Sequence, residues 1–190
     1  MIETRIRPRI DGALQTAGRI LARGGLRPAH LTGLGLLLTI GGAYLVAAGR
    51  LIAGGALVAV GSFVDALDGP VARHRGTAGP RGAFLDSVTD RIGETAMFTG
   101  VAYAVSDDPV LVALAVASVG ASLITSYLRA KAEGVGADGL AGIMGRAERV
   151  ILYCVGALTG QIGPMLWLMA ALTWLTVVQR FLSTWRQLEP

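Results

Sequence analysis

The chain has 190 residues, of which 17 are basic and 13 acidic, with a formal net charge of +4 and a mean hydropathy of +0.57. A hydrophobic fraction of 53% with only 16% charged residues gives too little polar surface for a soluble domain, so the composition indicates an integral membrane protein. Arginines beside membrane spans set topology and contact anionic lipid, so the basic balance gives no reason to expect a nucleic-acid partner.

Residues 1–27 precede the first apolar stretch and are rich in arginine. Apolar residues recur there every three or four positions, at Ile6, Ile10, Leu14, Ala17 and Leu21. This spacing predicts an amphipathic juxtamembrane helix on the inner leaflet, ended by Arg27-Pro28, with a frayed basic tail as the alternative.

Six apolar segments follow, at roughly 31–48, 51–67, 83–105, 109–128, 150–160 and 164–178. We therefore predict an all-α integral membrane fold, a single domain over residues 1–190 with six transmembrane helices and an N-terminal amphipathic interfacial helix. Frequent glycines in the first two spans predict close helix packing. Only eight residues, His74 to Arg81, separate Arg73 from Gly82, which predicts that the second and third spans are antiparallel neighbours.

If the six segments cross the membrane in turn, 16 of the 17 basic residues fall on the same side of it. The exception is Arg50, in the turn between the first two spans. The positive-inside rule then places both termini in the cytoplasm, and we expect a multi-pass protein of the plasma membrane. The glycine-rich stretch from Glu133 to Gly142 reads as a flexible cytosolic loop.

Four carboxylates, Asp65, Asp68, Asp86 and Asp90, stand at helical spacing in the second and third spans. Acidic groups at membrane depth are costly and indicate function, and residues three or four apart share one helix face. Four acids gathered together would repel one another, and hard oxygen ligands of this kind suit Mg²⁺ or Mn²⁺. A cation transporter is a remote alternative, since transport sites lie near the midplane whereas these acids cluster at one membrane face beside Gly and Arg.

These residues belong to a longer pattern, D-x-x-D-G-x-x-A-R, eight residues, then G-x-x-x-D-x-x-x-D, which resembles the signature of the CDP-alcohol phosphatidyltransferase family. The resemblance implies an enzyme that transfers a phosphatidyl group from a CDP-activated lipid to an alcohol and releases CMP. It implies that Asp65, Asp68, Asp86 and Asp90 bind two Mg²⁺ or Mn²⁺ ions and that Asp90 is also the catalytic base. Residues at the remaining signature positions would bind CDP, namely Gly69, Ala72, Arg73 and Gly82.

A second group of residues bears on the acceptor alcohol. Basic side chains at the cytosolic ends of the last three spans suit an acceptor that carries phosphate, although topology alone also accounts for such charges. They are Arg129, Lys131, Arg146, Arg149 and Arg180. We expect Glu94, one turn beyond Asp90, to pair with Arg91 or with a basic residue of the fourth span.

The segments 126–133, 145–149 and 179–180 resemble the actinobacterial phosphatidylinositol-phosphate synthases, although Gly145 and Ala147 replace Glu and Pro of that branch. The resemblance implies CDP-diacylglycerol and inositol 1-phosphate as substrates, with Arg129, Arg149 and Arg180 on the acceptor phosphate and Lys131 and Arg146 as further candidates. It also favours a homodimer in membrane lipid. The alternatives are a phosphatidylglycerophosphate synthase, which uses glycerol 3-phosphate, and an archaetidylinositol-phosphate synthase with an ether-lipid donor.

Overall fold

The computed structural model describes residues 7–188, and every regular element in that range is an α-helix. Of the apolar positions predicted for the first helix, Ile6 and the side chain of Ile10 lie outside the described part. The helices are α1 Arg7–Arg23, α2 Pro28–Ala47, α3 Leu51–Asp65, α4 Asp68–His74, α5 Pro80–Ala104, α6 Pro109–Gly134, α7 Arg146–Thr159 and α8 Ile162–Gln187.

Local sequence explains several of the helix ends. Proline begins α2, α5 and α6. Its fixed φ suits the first turn of a helix, where a backbone amide has no acceptor within the helix and its absence costs no hydrogen bond. Asp108 caps α6, because its Oδ1 accepts hydrogen bonds from the amides of Val110 (2.9 Å) and Leu111 (3.2 Å). Gly160 ends α7 with a φ of 70°, a left-handed conformation that glycine adopts without strain.

Six helices form a ring in which each packs mainly against two neighbours. The packing order is α2, α3, α7, α8, α6 and α5, and α5 closes the ring on α2. The second and third spans, predicted as neighbours, meet where their aspartates lie, but along their length α3 and α5 each pack mainly on α2. The short α4 and a turn connect Asp65 of α3 to Pro80 of α5.

Four spans in the described part of the chain are long and apolar enough to cross a membrane. They are Pro28–Ala47, Leu51–His74 (α3 continued by α4), Pro109–Gly134 and Ile162–Gln187. The helix α5 carries Asp90, Arg91 and Glu94 near its middle, and the 14 residues of α7 extend only about 21 Å. Length and composition thus indicate a membrane protein with at least these four spans.

Glycines bring α2 and α3 into close contact, as their density in the sequence predicts. A Cβ on Gly42 would lie 2.7 Å from the carbonyl oxygen of Gly54, and one on Gly54 would lie 2.6 Å from that of Gly42. Nearer the acidic residues, a Cβ on Gly35 would lie 2.8 Å from the Cβ of Asp65. Small residues at this crossing therefore determine how closely Asp65 approaches α2.

The helix α1 and the loop before α7 are both fastened to the bundle. Leu14, Ala17 and Leu21 of α1 pack against a buried cluster that includes Val71 of α4. In the loop, the amide of Asp138 donates to the Gln187 side chain (2.8 Å), and other loop groups bond to α8 as well. The segment predicted as a flexible loop is thus held along the end of α8.

Candidate active site

Asp65 and Asp68 stand on either side of a break between α3 and α4. Leu67 donates its amide to the Val64 carbonyl (3.2 Å), three residues back, which tightens the chain where the α-helix would have continued. Asp65 is therefore the last residue of α3 and Asp68 the first of α4, rather than two positions on one uninterrupted helix. Asp68 is oriented by α2, because Thr32 Oγ1 donates to Asp68 Oδ2 at 2.6 Å.

The other two aspartates lie one turn apart on α5. One carboxylate oxygen each from Asp65, Asp68 and Asp86 lies within 4.8 Å of the other two, a spacing at which one divalent cation could be shared. All three offer hard oxygen ligands, and their mutual repulsion favours a bound cation. The structure thus brings together three of the four predicted metal ligands in one group, with Asp90 beside it.

Asp90 is buried and is joined to this group through an arginine. Nη2 of Arg146, the first residue of α7, lies 2.8 Å from Asp90 Oδ1 and 3.0 Å from Asp65 Oδ2. Arg91 approaches the other oxygen of Asp90 at 3.4 Å. One guanidinium group therefore connects the end of α3, the middle of α5 and the start of α7.

A cleft of about 2000 Å³ opens beside the aspartates, between residues of α2, α3, α5, α6, α7 and α8. Its polar end contains Asp86, Asp90 and Arg146, and its remainder is largely apolar, with Tyr44 and Tyr103 among the lining side chains. The volume exceeds that of an ordinary small-molecule site, and the combination of charged and apolar walls suits an amphiphile.

The four residues predicted to bind CDP lie next to the aspartates but outside the lining of this cleft. Gly69, Ala72 and Arg73 are on α4, and Gly82 is in the first turn of α5. A Cβ on Gly82 would meet nothing within 4 Å, and one on Gly69 would meet only Arg73 Nη1 at 3.3 Å. Protein packing therefore does not require glycine at either position, and room remains for a ligand there.

Among the predicted acceptor residues, Arg129, Arg146 and Arg180 line the cleft, whereas Lys131 is exposed and does not. Arg129 is half exposed and pairs with Glu133 at 2.8 Å. Arg180 is buried, donating from Nη1 to the Thr125 carbonyl (2.7 Å) and from Nε to the Ala141 carbonyl (2.8 Å).

Arg149 also borders the cleft, but its side chain is only 4% exposed and its guanidinium is bound by protein groups. Its Nε and Nη2 donate to the two carboxylate oxygens of Glu94, with Nη2 to Oε2 at 3.1 Å. Its Nη1 donates to the Met144 carbonyl at 2.9 Å. The partner of Glu94 is thus Arg149 of α7, so the prediction that Glu94 pairs with Arg91 or with the fourth span is wrong.

Sequence reasoning did not identify three of the contacts that shape the site. Thr32 orients Asp68 from α2, and nothing in the aspartate spacing points to it. Gln15 of α1, in the amide orientation that satisfies both groups, accepts from Arg73 Nη2 at 2.8 Å. The Glu94–Arg149 pair had a partial signal, because Glu94 continues the face of Asp90 along α5.

Comparison with known proteins gives a consistent result. The CDP-alcohol phosphatidyltransferase family matches residues 26–182. The archaetidylinositol phosphate synthase of Pyrococcus horikoshii is 35% identical over 189 residues, which cover 98% of each chain. The phosphatidylinositol phosphate synthase of Mycobacterium tuberculosis is 35% identical over 181 residues, covering 88% of this chain and 83% of that protein.

Solved structures of the Mycobacterium tuberculosis phosphatidylinositol phosphate synthase share the fold. The crystal structure with CDP-DAG bound superimposes with a TM-score of 0.84 at 33% identity, covering 90% of this chain and 93% of that one. The structure in complex with manganese and citrate gives the same TM-score and identity, and covers 88% of that chain. The resemblance to the CDP-alcohol phosphatidyltransferase family, inferred from residues 65–90, is confirmed.

Proposed function

Because this chain belongs to the CDP-alcohol phosphatidyltransferase family, we propose that it transfers the phosphatidyl group of CDP-diacylglycerol to inositol 1-phosphate and releases CMP. The observation that carries the proposal is that Asp86 of the acidic group, together with Asp90, lines the polar end of a cleft that Arg129, Arg146 and Arg180 also line. Such a cleft provides for a metal-bound diphosphate and for a second, anionic substrate. A mycobacterial relative bears the name of this activity and has been crystallised with CDP-DAG and with manganese.

The proposed metal ligands are Asp65, Asp68, Asp86 and Asp90, with two Mg²⁺ or Mn²⁺ ions in the site. The donor set fits, since the first three already lie within 4.8 Å of one another and consist of hard oxygens. Bound metal would offset the charge of the diphosphate and stabilise the departing CMP. Thr32 holds Asp68 in place for this purpose, through its 2.6 Å hydrogen bond.

Gly69, Ala72, Arg73 and Gly82 are proposed to receive the CDP moiety. The open space at the two glycines allows a nucleotide to approach the backbone of α4 and α5. Arg73 offers a planar guanidinium to phosphate oxygens, and its contact with Gln15 orients it from α1.

The acceptor phosphate is proposed to bind Arg129, Arg146 and Arg180, with the exposed Lys131 as a further candidate. Arg149, which the sequence pattern assigned to the phosphate, has its guanidinium paired with Glu94. We assign Arg149 to positioning, because the Glu94 pair fixes the start of α7 and hence Arg146. This division leaves three arginines to recognise a phosphorylated alcohol.

The proposed reaction is a single in-line displacement. The acceptor hydroxyl oxygen forms a bond to the phosphatidyl phosphorus, and the bond from that phosphorus to the CMP oxygen breaks. Asp90, as general base, takes the hydroxyl proton, and CMP departs with the electron pair of the broken bond. No Ser, Cys or His stands at a specified signature position, so nothing there suggests a covalent intermediate. His74, in the connection between the two halves of the signature, contacts the backbone carbonyl of Gln15 at 3.1 Å.

We further propose that residues 1–190 form one domain with six spans in the plasma membrane, α5 and α7 completing the set. The positive-inside rule supports this orientation, with the aspartates, the arginines of the cleft and both termini facing the cytoplasm. The helix α1 would lie at the inner interface, attached to the bundle through Val71 and its neighbours. The resemblance within the family favours a homodimer.

An archaetidylinositol-phosphate synthase is the second candidate, because a relative of that name matches 98% of this chain. It would use the same acceptor site with an ether-lipid donor. To separate the candidates, purified protein in detergent with Mg²⁺ is given CDP-diacylglycerol or CDP-archaeol. Each donor is paired with inositol 1-phosphate, glycerol 3-phosphate or free inositol.

CMP release from CDP-diacylglycerol with inositol 1-phosphate supports the proposal. Release only from CDP-archaeol supports the second candidate. Release with glycerol 3-phosphate in preference to inositol 1-phosphate contradicts the proposed acceptor while leaving the proposed chemistry of the aspartates intact.

A further inference from the structure

Arg146 forms ion pairs with two of the carboxylates that the proposed function assigns to metal. Its Nη2 is 3.0 Å from Asp65 Oδ2 and 2.8 Å from Asp90 Oδ1, and these two acids come from different helices. Both acids are largely buried, whereas the Arg146 side chain remains 39% exposed. The guanidinium thus reaches from the accessible cleft into the acidic group.

We propose that Arg146 makes acceptor binding depend on metal binding. It competes with the divalent cation for Asp65 and Asp90, and a cation that takes these carboxylates releases the guanidinium toward Arg129 and Arg180. The inference rests on the proposed function, because it assumes metal at the aspartates and phosphate at the arginines.

Competition follows from charge and from geometry. Mg²⁺ binds carboxylate oxygens at about 2.0–2.1 Å, and any divalent cation bound there repels a guanidinium held within hydrogen-bond distance of the same oxygens. Arg146 links α3 to α5 by contacting one carboxylate oxygen of Asp65 and one of Asp90. Metal and Arg146 therefore cannot both gain the full attraction of these two acids.

The structure also gives Arg146 the freedom that this exchange needs. Arg149, three residues along α7, is 4% exposed and is bound through three of its nitrogens. Arg146 makes its ion pairs through Nη2 alone, as far as the described part of the chain shows. Loss of this one nitrogen's contacts would therefore free the whole guanidinium to turn toward a phosphate in the cleft, which Arg129 and Arg180 line with it.

Thermodynamic linkage makes the coupling reciprocal. If metal tightens acceptor binding by freeing Arg146, then the acceptor tightens metal binding by the same factor. Removing the guanidinium should therefore strengthen metal binding and weaken its coupling to the acceptor. A residue that only binds phosphate would not change the affinity for metal in this way.

The test uses the full-length protein in detergent, with Mn²⁺ binding followed by electron paramagnetic resonance. We compare the wild type, Arg146→Gln and the control Arg129→Gln. The control removes the same charge from the cleft, but Arg129 pairs with Glu133 rather than with the aspartates. Mn²⁺ should bind Arg146→Gln about three- to tenfold more tightly than the control, equivalent to about 0.7 to 1.4 kcal/mol.

A second titration measures inositol 1-phosphate binding with and without Mn²⁺. The wild type should bind it more tightly with Mn²⁺, and Arg146→Gln should lose at least two thirds of that increase. Equal Mn²⁺ affinities for the two variants, or an undiminished increase in Arg146→Gln, would overturn the inference. The inference would also be overturned if Arg146→Gln bound CMP more weakly and inositol 1-phosphate as tightly as the wild type, because Arg146 would then contact the donor.

One further variant separates this inference from the proposed function. Asp86→Asn should abolish tight Mn²⁺ binding if the aspartates are the metal site. If Asp86→Asn binds Mn²⁺ as the wild type does, the proposed function fails. If Asp86→Asn loses Mn²⁺ binding but Arg146→Gln and Arg129→Gln bind Mn²⁺ equally well, the proposed function stands and the role of Arg146 fails.

Discussion

The buried pair between Glu94 and Arg149 allows a sharp test of how the site is built. Both side chains are 4% exposed, and each carboxylate oxygen of Glu94 accepts from Arg149. Glu94→Gln leaves the guanidinium charge buried with only one neutral acceptor in place of two charged oxygens. Breaking a buried pair in this way costs about 3 kcal/mol, which for a chain of this length lowers the melting temperature by roughly 6–12 °C.

The assay is thermal unfolding of the purified protein in one detergent, with Glu133→Gln as the matched control. Glu133 also pairs with an arginine, but that pair is half exposed, so its loss should cost at most about 0.5 kcal/mol. The double variant Glu94→Gln/Arg149→Met removes the uncompensated charge. It should therefore be more stable than the sum of the single changes predicts, by about 2 kcal/mol.

The same series decides the role of Arg149. If its guanidinium positions α7, Arg149→Met lowers the melting temperature, and the Glu94→Gln change loses most of its effect in that background. A melting temperature of Glu94→Gln within 2 °C of the wild type, a limit of about 1 kcal/mol, would exclude this stabilising role of the pair. So would an Arg149→Met variant that keeps full stability and raises only the KM of the acceptor, because that result fits the phosphate-binding role that the resemblance implied for Arg149.

Three further predictions concern the metal site, the nucleotide pocket and the helix crossing. Asp86→Asn should lower CMP release about 10³-fold, measured at saturating Mg²⁺, with the melting temperature nearly unchanged, since the lost charge relieves repulsion. Gly82→Ala should leave stability unchanged, because its Cβ meets nothing within 4 Å, but should raise the KM for CDP-diacylglycerol; an unchanged KM contradicts the proposed pocket. Gly42→Ala should destabilise the protein by about 1–3 kcal/mol in the same unfolding assay, because its Cβ would lie 2.7 Å from a backbone oxygen, whereas Gly33→Ala, in open space, should not.

The acidic group was predictable because its chemistry lies in the local sequence. The spacing of Asp65, Asp68 and Asp86 and the short connection between them indicated a shared metal, and the three are within 4.8 Å of one another. The break between α3 and α4 was not predictable from spacing, because it depends on the tightened bond from Leu67 to Val64. Connection length did not give the packing order, because α3 and α5 each pack mainly on α2.

The arginines show where sequence patterns lose resolution. Arg146 and Arg149 both follow the glycine-rich segment, and their numbers alone do not say which one faces the cleft. The difference arises from Glu94, which pairs with Arg149 across 55 positions of sequence. Contacts of this kind depend on how α5 and α7 meet in three dimensions, and the same is true of Thr32 and Asp68.

Transfer of a phosphatidyl group to a phosphorylated inositol is the proposed function of the aspartates and the cleft arginines. Its most direct test is mass spectrometry of the lipid made from CDP-diacylglycerol and inositol 1-phosphate with Mg²⁺, by the wild type and by Asp90→Asn. The wild type should make phosphatidylinositol phosphate that retains the phosphate of the acceptor, in amounts equal to the CMP released, and Asp90→Asn should make none. A lipid without that phosphate, or equal product from Asp90→Asn, would contradict the proposed function.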